Sequence, residues 1–98
     1  MRTYETLFIV RPDLEPEQTA AVVEKFSGLI TNNGGQLVKV DQWGKRRLAY
    51  EVNDFREGFY VLVQFQSNPE VAQELERIFK ITDEIMKYLI TRIDEVAS

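Results

Sequence analysis

Gly58-Phe59-Tyr60-Val61-Leu62-Val63-Gln64-Phe65-Gln66-Ser67-Asn68-Pro69-Glu70 is the stretch whose reading decides the fold. Its first half is a run of aromatic and β-branched residues opened by glycine, which predicts a strand over residues 59–65. Its second half offers an N-cap followed by proline at the first helical turn, where a missing N–H leaves no hydrogen bond unmade. Val71, Leu75, Ile78 and Phe79 then recur at three- and four-residue spacing, so the strand hands over directly to an amphipathic helix.

Working outward, the same unit opens the chain. Residues 3–11 are rich in Thr, Tyr, Leu, Phe, Ile and Val and end at Arg11-Pro12-Asp13, a strand closed by a turn. From Pro16, Val22, Val23, Phe26, Leu29 and Ile30 repeat with helical spacing until Asn32-Asn33-Gly34-Gly35 stops them. Residues 37–52 form a long extended segment with Gly44 as a bulge or bend, and Asn53-Asp54 to Gly58 reverses the chain. Residues 85–91 supply a last strand. The order is two copies of a strand-helix-strand unit, which predicts one α+β domain over residues 1–98, a ferredoxin-like sandwich (βαββαβ) with a four-stranded antiparallel sheet and two helices on one face.

The other face of such a sheet should alternate polar residues if it meets water. Here Phe8 and Val10 oppose Leu7 and Ile9, while Val61, Val63 and Phe65 oppose Tyr60 and Leu62. With Phe8, Val61, Val63 and Phe65 under the helices, Leu7, Ile9, Tyr60 and Leu62 are left as an apolar patch, and such patches mark interaction surfaces. A few tolerated surface apolar residues are the plainer reading.

The 98 residues contain neither cysteine nor histidine, so disulfides, thiolate chemistry, and the commonest general base and metal ligand are excluded. No metal and no cofactor is expected. No phosphate-cradling glycine loop or nucleophile elbow occurs, and no catalytic residues are predicted. The apolar run at residues 7–10 is too short for a signal or a membrane span, so a cytoplasmic protein with no membrane partner is expected.

A net charge of −4 speaks at first against a phosphate-rich partner, but the charge is unevenly spread. The helical segments carry Asp13, Glu15, Glu17, Glu24, Glu70, Glu74, Glu76, Asp83 and Glu84 against Lys25, Arg77 and Lys80. Strands and loops are net basic, with Lys45, Arg46 and Arg47 following Trp43-Gly44 and preceding Leu48-Ala49-Tyr50. This octapeptide suits RNA or a partner protein, or an edge strand guarded by charge. Alternation puts Arg46 with Leu48 and Tyr50 on one face and Arg47 on the other, so it does not act as one uniform clamp.

RNA-recognition motifs share this element order, and Gly58-Phe59 matches part of their longer signature. The stacking positions would be Phe8, Phe59 and Val61, and valine cannot stack as an aromatic does. Two stacked bases are therefore a poorer expectation than a protein partner or an RNA surface.

Met1-Arg2-x-Tyr4-Glu5, Pro12, the octapeptide from Trp43 to Tyr50, Gly58, and Asp83 followed by Lys87 and Arg92 together resemble the bacterial ribosomal small-subunit protein six family over nearly the whole chain. Glu51 stands where many members have proline, and Lys87 where many have arginine. The resemblance implies a ferredoxin-like fold, no catalysis, no small-molecule substrate, and binding to the central domain of 16S rRNA as a heterodimer with small-subunit protein eighteen. RNA contacts are then expected from Arg2, Tyr4, Lys87 and Arg92, and RNA or partner contacts from Trp43, Lys45, Arg46, Arg47 and Tyr60. The competing reading is a self-associating ferredoxin-like small-molecule-binding or regulatory module.

Overall fold

A computed structural model describes residues 1–93. Its elements are β1 (Arg2–Val10), α1 (Pro16–Asn32), β2 (Gln36–Val52), β3 (Phe55–Ser67), α2 (Pro69–Lys80) and β4 (Ile85–Arg92). The strands form one antiparallel sheet in the order β2-β3-β1-β4. This is the ferredoxin-like arrangement the alternating pattern predicts.

Local chemistry explains the element ends. Proline stands in the first turn of both helices. At α1 the Gln18 side chain reaches back to accept the Glu15 backbone N–H at 2.9 Å, satisfying a donor that the helix itself leaves open. Asn68 occupies the N-cap of α2 but makes no side-chain cap bond; Ser67 Oγ donates instead to the Asn68 carbonyl at 3.0 Å.

One boundary differs from the sequence reading. β3 starts at Phe55 rather than near residue 59, because Asn53 and Asp54 both adopt positive φ (51° and 67°) and close a two-residue turn that keeps Val52 paired with Phe55. Asn and Asp tolerate this left-handed geometry better than other non-glycine residues, and its twist matches that of the strands. Gly44 has φ 83° beside a register shift between Gln42 and Gly44, so the expected bulge is present.

The core lies between the sheet and the helices. Phe8, Val10, Val61, Val63 and Phe65 pack under Val22, Val23, Phe26 and Ile30 of α1 and Val71, Leu75 and Phe79 of α2. Phe79 is at the centre of an aromatic group, 4.4 Å from Phe26, 5.2 Å from Phe8 and 5.1 Å from Tyr88 between ring centroids.

Gly58 sets how the long hairpin leaves the sheet. It is buried, and a Cβ there would overlap Ile9 Cγ2, so only glycine lets β3 close over Ile9. Gly58→Ala is expected to cost about 1–3 kcal/mol through overpacking, read as a lower denaturation midpoint with an unchanged slope. Ile9, expected in the exposed patch, is for the same reason only 8% exposed.

Candidate functional site

The face of the sheet turned away from the helices is built in three rows across the strands. Thr91, Glu5, Gln64 and Lys39 are in register from β4 to β2, then Leu89, Leu7, Leu62 and Asp41, then Lys87, Ile9, Tyr60 and Gly44. Antiparallel pairing puts each row on one face and close together. The first row is polar and tied by Gln64 Nε2 donating to Glu5 Oε2 at 2.9 Å. The middle row is apolar across β4, β1 and β3 and ends in Asp41 on β2, and its Leu89 is 60% exposed.

The third row joins the octapeptide. The bulge at Gly44 turns Trp43 onto Tyr60, with centroids 6.1 Å apart and planes 8° from parallel. Trp43 Nε1 donates to Asp41 Oδ2 at 3.2 Å, and the Arg46 guanidinium lies 5.2 Å from the Trp43 ring centroid. Lys87 Nζ lies 4.5 Å from the centroid of Tyr50 and donates to its hydroxyl. The result is an apolar strip with cations on aromatic rings along one side, the composition of a protein contact surface rather than of a solvated sheet.

The octapeptide divides as its alternation predicts. Arg46 pairs across from Gly58 on the open face, while Lys45 and Arg47 pair with Phe59 and Glu57 on the other. Arg47 faces a concavity of about 670 Å³ between the hairpin and Pro12, shared with Ala49, Glu51, Phe55 and Glu57. Its charges are mixed, and Arg56 there is ion-paired to Glu51 at 2.9 Å.

The residues expected to touch RNA are not brought into one patch. Arg2 begins β1 and Arg92 pairs with Tyr4, so these cations meet at one end of the sheet on the side shared with Tyr4. Lys87 pairs with Ile9, five residues further along β1, or about 17 Å away, and on the open face. Tyr4 is 7% exposed and stacked 5.5 Å from Phe65, so its ring is core and its contribution to that edge is to support the backbone carrying Arg2. The RNA-recognition positions Phe8 and Val61 are fully buried, which removes them as a base platform.

Cations fall into two groups by partner. Arg11, Lys39, Arg56, Arg77 and Lys80 are ion-paired to carboxylates. Their hydrogen bonds hold the Asp13 and Glu74 carboxyls below their usual range and Lys80 above its own. Among the described residues, Lys25 on α1 and Arg2, Lys45, Arg46, Arg47 and Lys87 on the sheet and hairpin make no such pair, and the charge of the latter five is available to a partner. None of the described His, Cys, Asp or Glu residues form a group able to hold a metal ion, and no described helix is long and apolar enough to cross a membrane.

Two members of the face escaped the sequence reading. Leu89 shares its alternation with Lys87, a signal present within β4 itself. Tyr50 meets Lys87 from 37 positions away, and no local pattern announces that contact.

A family model described as Ribosomal protein S6 matches residues 3–92. Small ribosomal subunit protein bS6 of Moorella thermoacetica is 63% identical over the full length of both chains. The protein of the same name from Desulfitobacterium hafniense is 54% identical, covering 97% of this chain and all of its own. Among solved structures, the crystal structure of 30S ribosomal protein S6 from Thermotoga maritima superposes with a TM-score of 0.90 at 33% identity, over 94% of this chain and 87% of that one.

Proposed function

This chain belongs to the ribosomal protein S6 family, and from that membership we propose that it binds the central domain of 16S rRNA as a heterodimer with small-subunit protein eighteen. As a member of that family it is a structural protein of the small ribosomal subunit, in the cytoplasmic ribosome, and not an enzyme.

The observation that carries the finer reading is the division of the surface. Acidic side chains are concentrated on the helical layer, while five of the cations without a carboxylate partner (Arg2, Lys45, Arg46, Arg47 and Lys87) and the apolar strip lie along the sheet and its hairpin. Screening over about 8 Å at physiological salt lets a phosphate-binding edge coexist with acids on the opposite layer. Arg2 and Arg92 at one end, and Lys87 further along, serve as phosphate contacts. Leu7, Leu62 and Leu89, flanked by Trp43, Tyr60 and Arg46, receive the protein partner. Lys45 and Arg47, on the hairpin's other face, extend the cationic surface toward RNA.

Titration of a central-domain 16S rRNA fragment at several salt concentrations, with and without the partner protein, tests this. Joint replacement of Arg2, Lys87 and Arg92 by alanine is expected to weaken binding about tenfold and flatten the logarithmic salt dependence, whose slope should be about −2 to −4 in the native protein. Unchanged affinity would overturn the phosphate assignment. Exposure of Leu89 also suits a second copy of the chain; a stable homodimer that ignores RNA in sedimentation would favour that reading.

A further inference from the structure

Tyr50 belongs to β2 and Lys87 to β4, the two edges of the sheet, with β3 and β1 between them. Flat strands about 4.8 Å apart would hold these residues about 14 Å from one another. They touch nevertheless. The reason is that β1 ends at Val10, opposite Phe59, whereas β2 and β3 stay paired out to Val52 and Phe55. That outer part of the hairpin has no neighbour in β1, and the twist of a two-stranded ribbon carries it across the end of the sheet. Gly58, closed over Ile9, stands where the ribbon leaves.

Lys87 thus has a tyrosine where Arg11, Lys39, Arg56, Arg77 and Lys80 have carboxylates. The difference is chemical. A carboxylate would fix the ammonium and cancel its charge; an aromatic face and one phenol oxygen fix it, leave the charge intact, and engage only one of its three N–H donors. We propose that Tyr50 is the positioning residue for Lys87, holding its ammonium at the rim of the open face so that its other donors meet an RNA phosphate. A flexible four-carbon side chain on a free edge strand would otherwise have to be ordered by the RNA itself. The same hairpin carries Trp43 and Arg46, so the phosphate contact and the aromatic rim are held by one element. This assignment rests on the phosphate role given to Lys87 above.

The test is a double-mutant cycle with the central-domain 16S rRNA fragment, in the presence of the partner protein, alongside NMR of the free chain. Lys87 Hε resonances are expected to be shifted upfield by the Tyr50 ring, to keep that shift in Tyr50→Phe, and to lose it in Tyr50→Ala. RNA affinity should fall about two- to fivefold in Tyr50→Ala, stay within about twofold in Tyr50→Phe, and show no further loss when Tyr50→Ala is added to Lys87→Ala. An unchanged affinity for Lys87→Ala overturns the phosphate reading and this proposal with it. A loss in Lys87→Ala joined to an undiminished Tyr50→Ala effect in that background overturns the positioning role alone, as do unshifted Lys87 resonances in the native chain.

Discussion

Phe26→Ala is expected to lower the free energy of unfolding by about 3–5 kcal/mol, measured by chemical denaturation followed by circular dichroism. Phe26 is 1% exposed and stacks on Phe79 and against Phe8, so its ring joins α1, α2 and β1 at once. Truncation removes its contacts with both rings and leaves a void that stiff aromatic neighbours cannot refill. Domains of this size have about 5–15 kcal/mol in all, and each kcal/mol shifts the melting temperature by about 4–8 °C, so the variant should melt roughly 12–40 °C lower. Below its new midpoint the open face should be intact, because Phe26 lies on the opposite side of the sheet. A loss under about 1.5 kcal/mol would mean that the helices are not seated on the sheet through this group.

What could be read in the sequence was local. Pro16 and Pro69 mark helix starts, Gly44 marks a bulge, and alternation assigns Phe8, Val61, Val63 and Phe65 to the helices; each depends on residues within one element. The same alternation places Tyr4 with Phe8 and Val10 on β1, which the assignment of Tyr4 to RNA contact overlooked. What stayed hidden depends on register and on chain path. Residues 55–57 have loop composition, yet they are strand because Asn53 and Asp54 accept positive φ. The separation of Lys87 from Arg2 and Arg92 follows from the β1–β4 pairing of Tyr4 with Arg92 and Ile9 with Lys87, which no periodicity fixes. The burial of Ile9 and the meeting of Tyr50 with Lys87 both require the hairpin to leave the sheet at Gly58, a tertiary event.

Leu89→Asp combined with Leu62→Ser is expected to weaken binding of small-subunit protein eighteen at least about thirtyfold, equivalent to about 2 kcal/mol, in calorimetric titration. These residues pair with Leu7 from either side and form the apolar strip, so the double variant removes its edges. In a closed interface the new carboxylate would be desolvated, with Glu5 diagonally across on β1 and the Lys87 ammonium already held by Tyr50. In the free chain it stands in water, because Leu89 is 60% exposed, and the stability cost should stay near 1 kcal/mol. Arg2 and Arg92 lie on the other face of the sheet, but Lys87 is two residues from Leu89 on this one, so RNA binding by the chain alone should fall at most about two- to fivefold, while cooperative binding with the partner should be lost. Sedimentation separates the two occupants of this face. A native homodimer that Leu89→Asp turns into monomer, with heterologous binding untouched, would assign the strip to self-association; a native monomer whose partner binding is lost assigns it to the ribosomal partner.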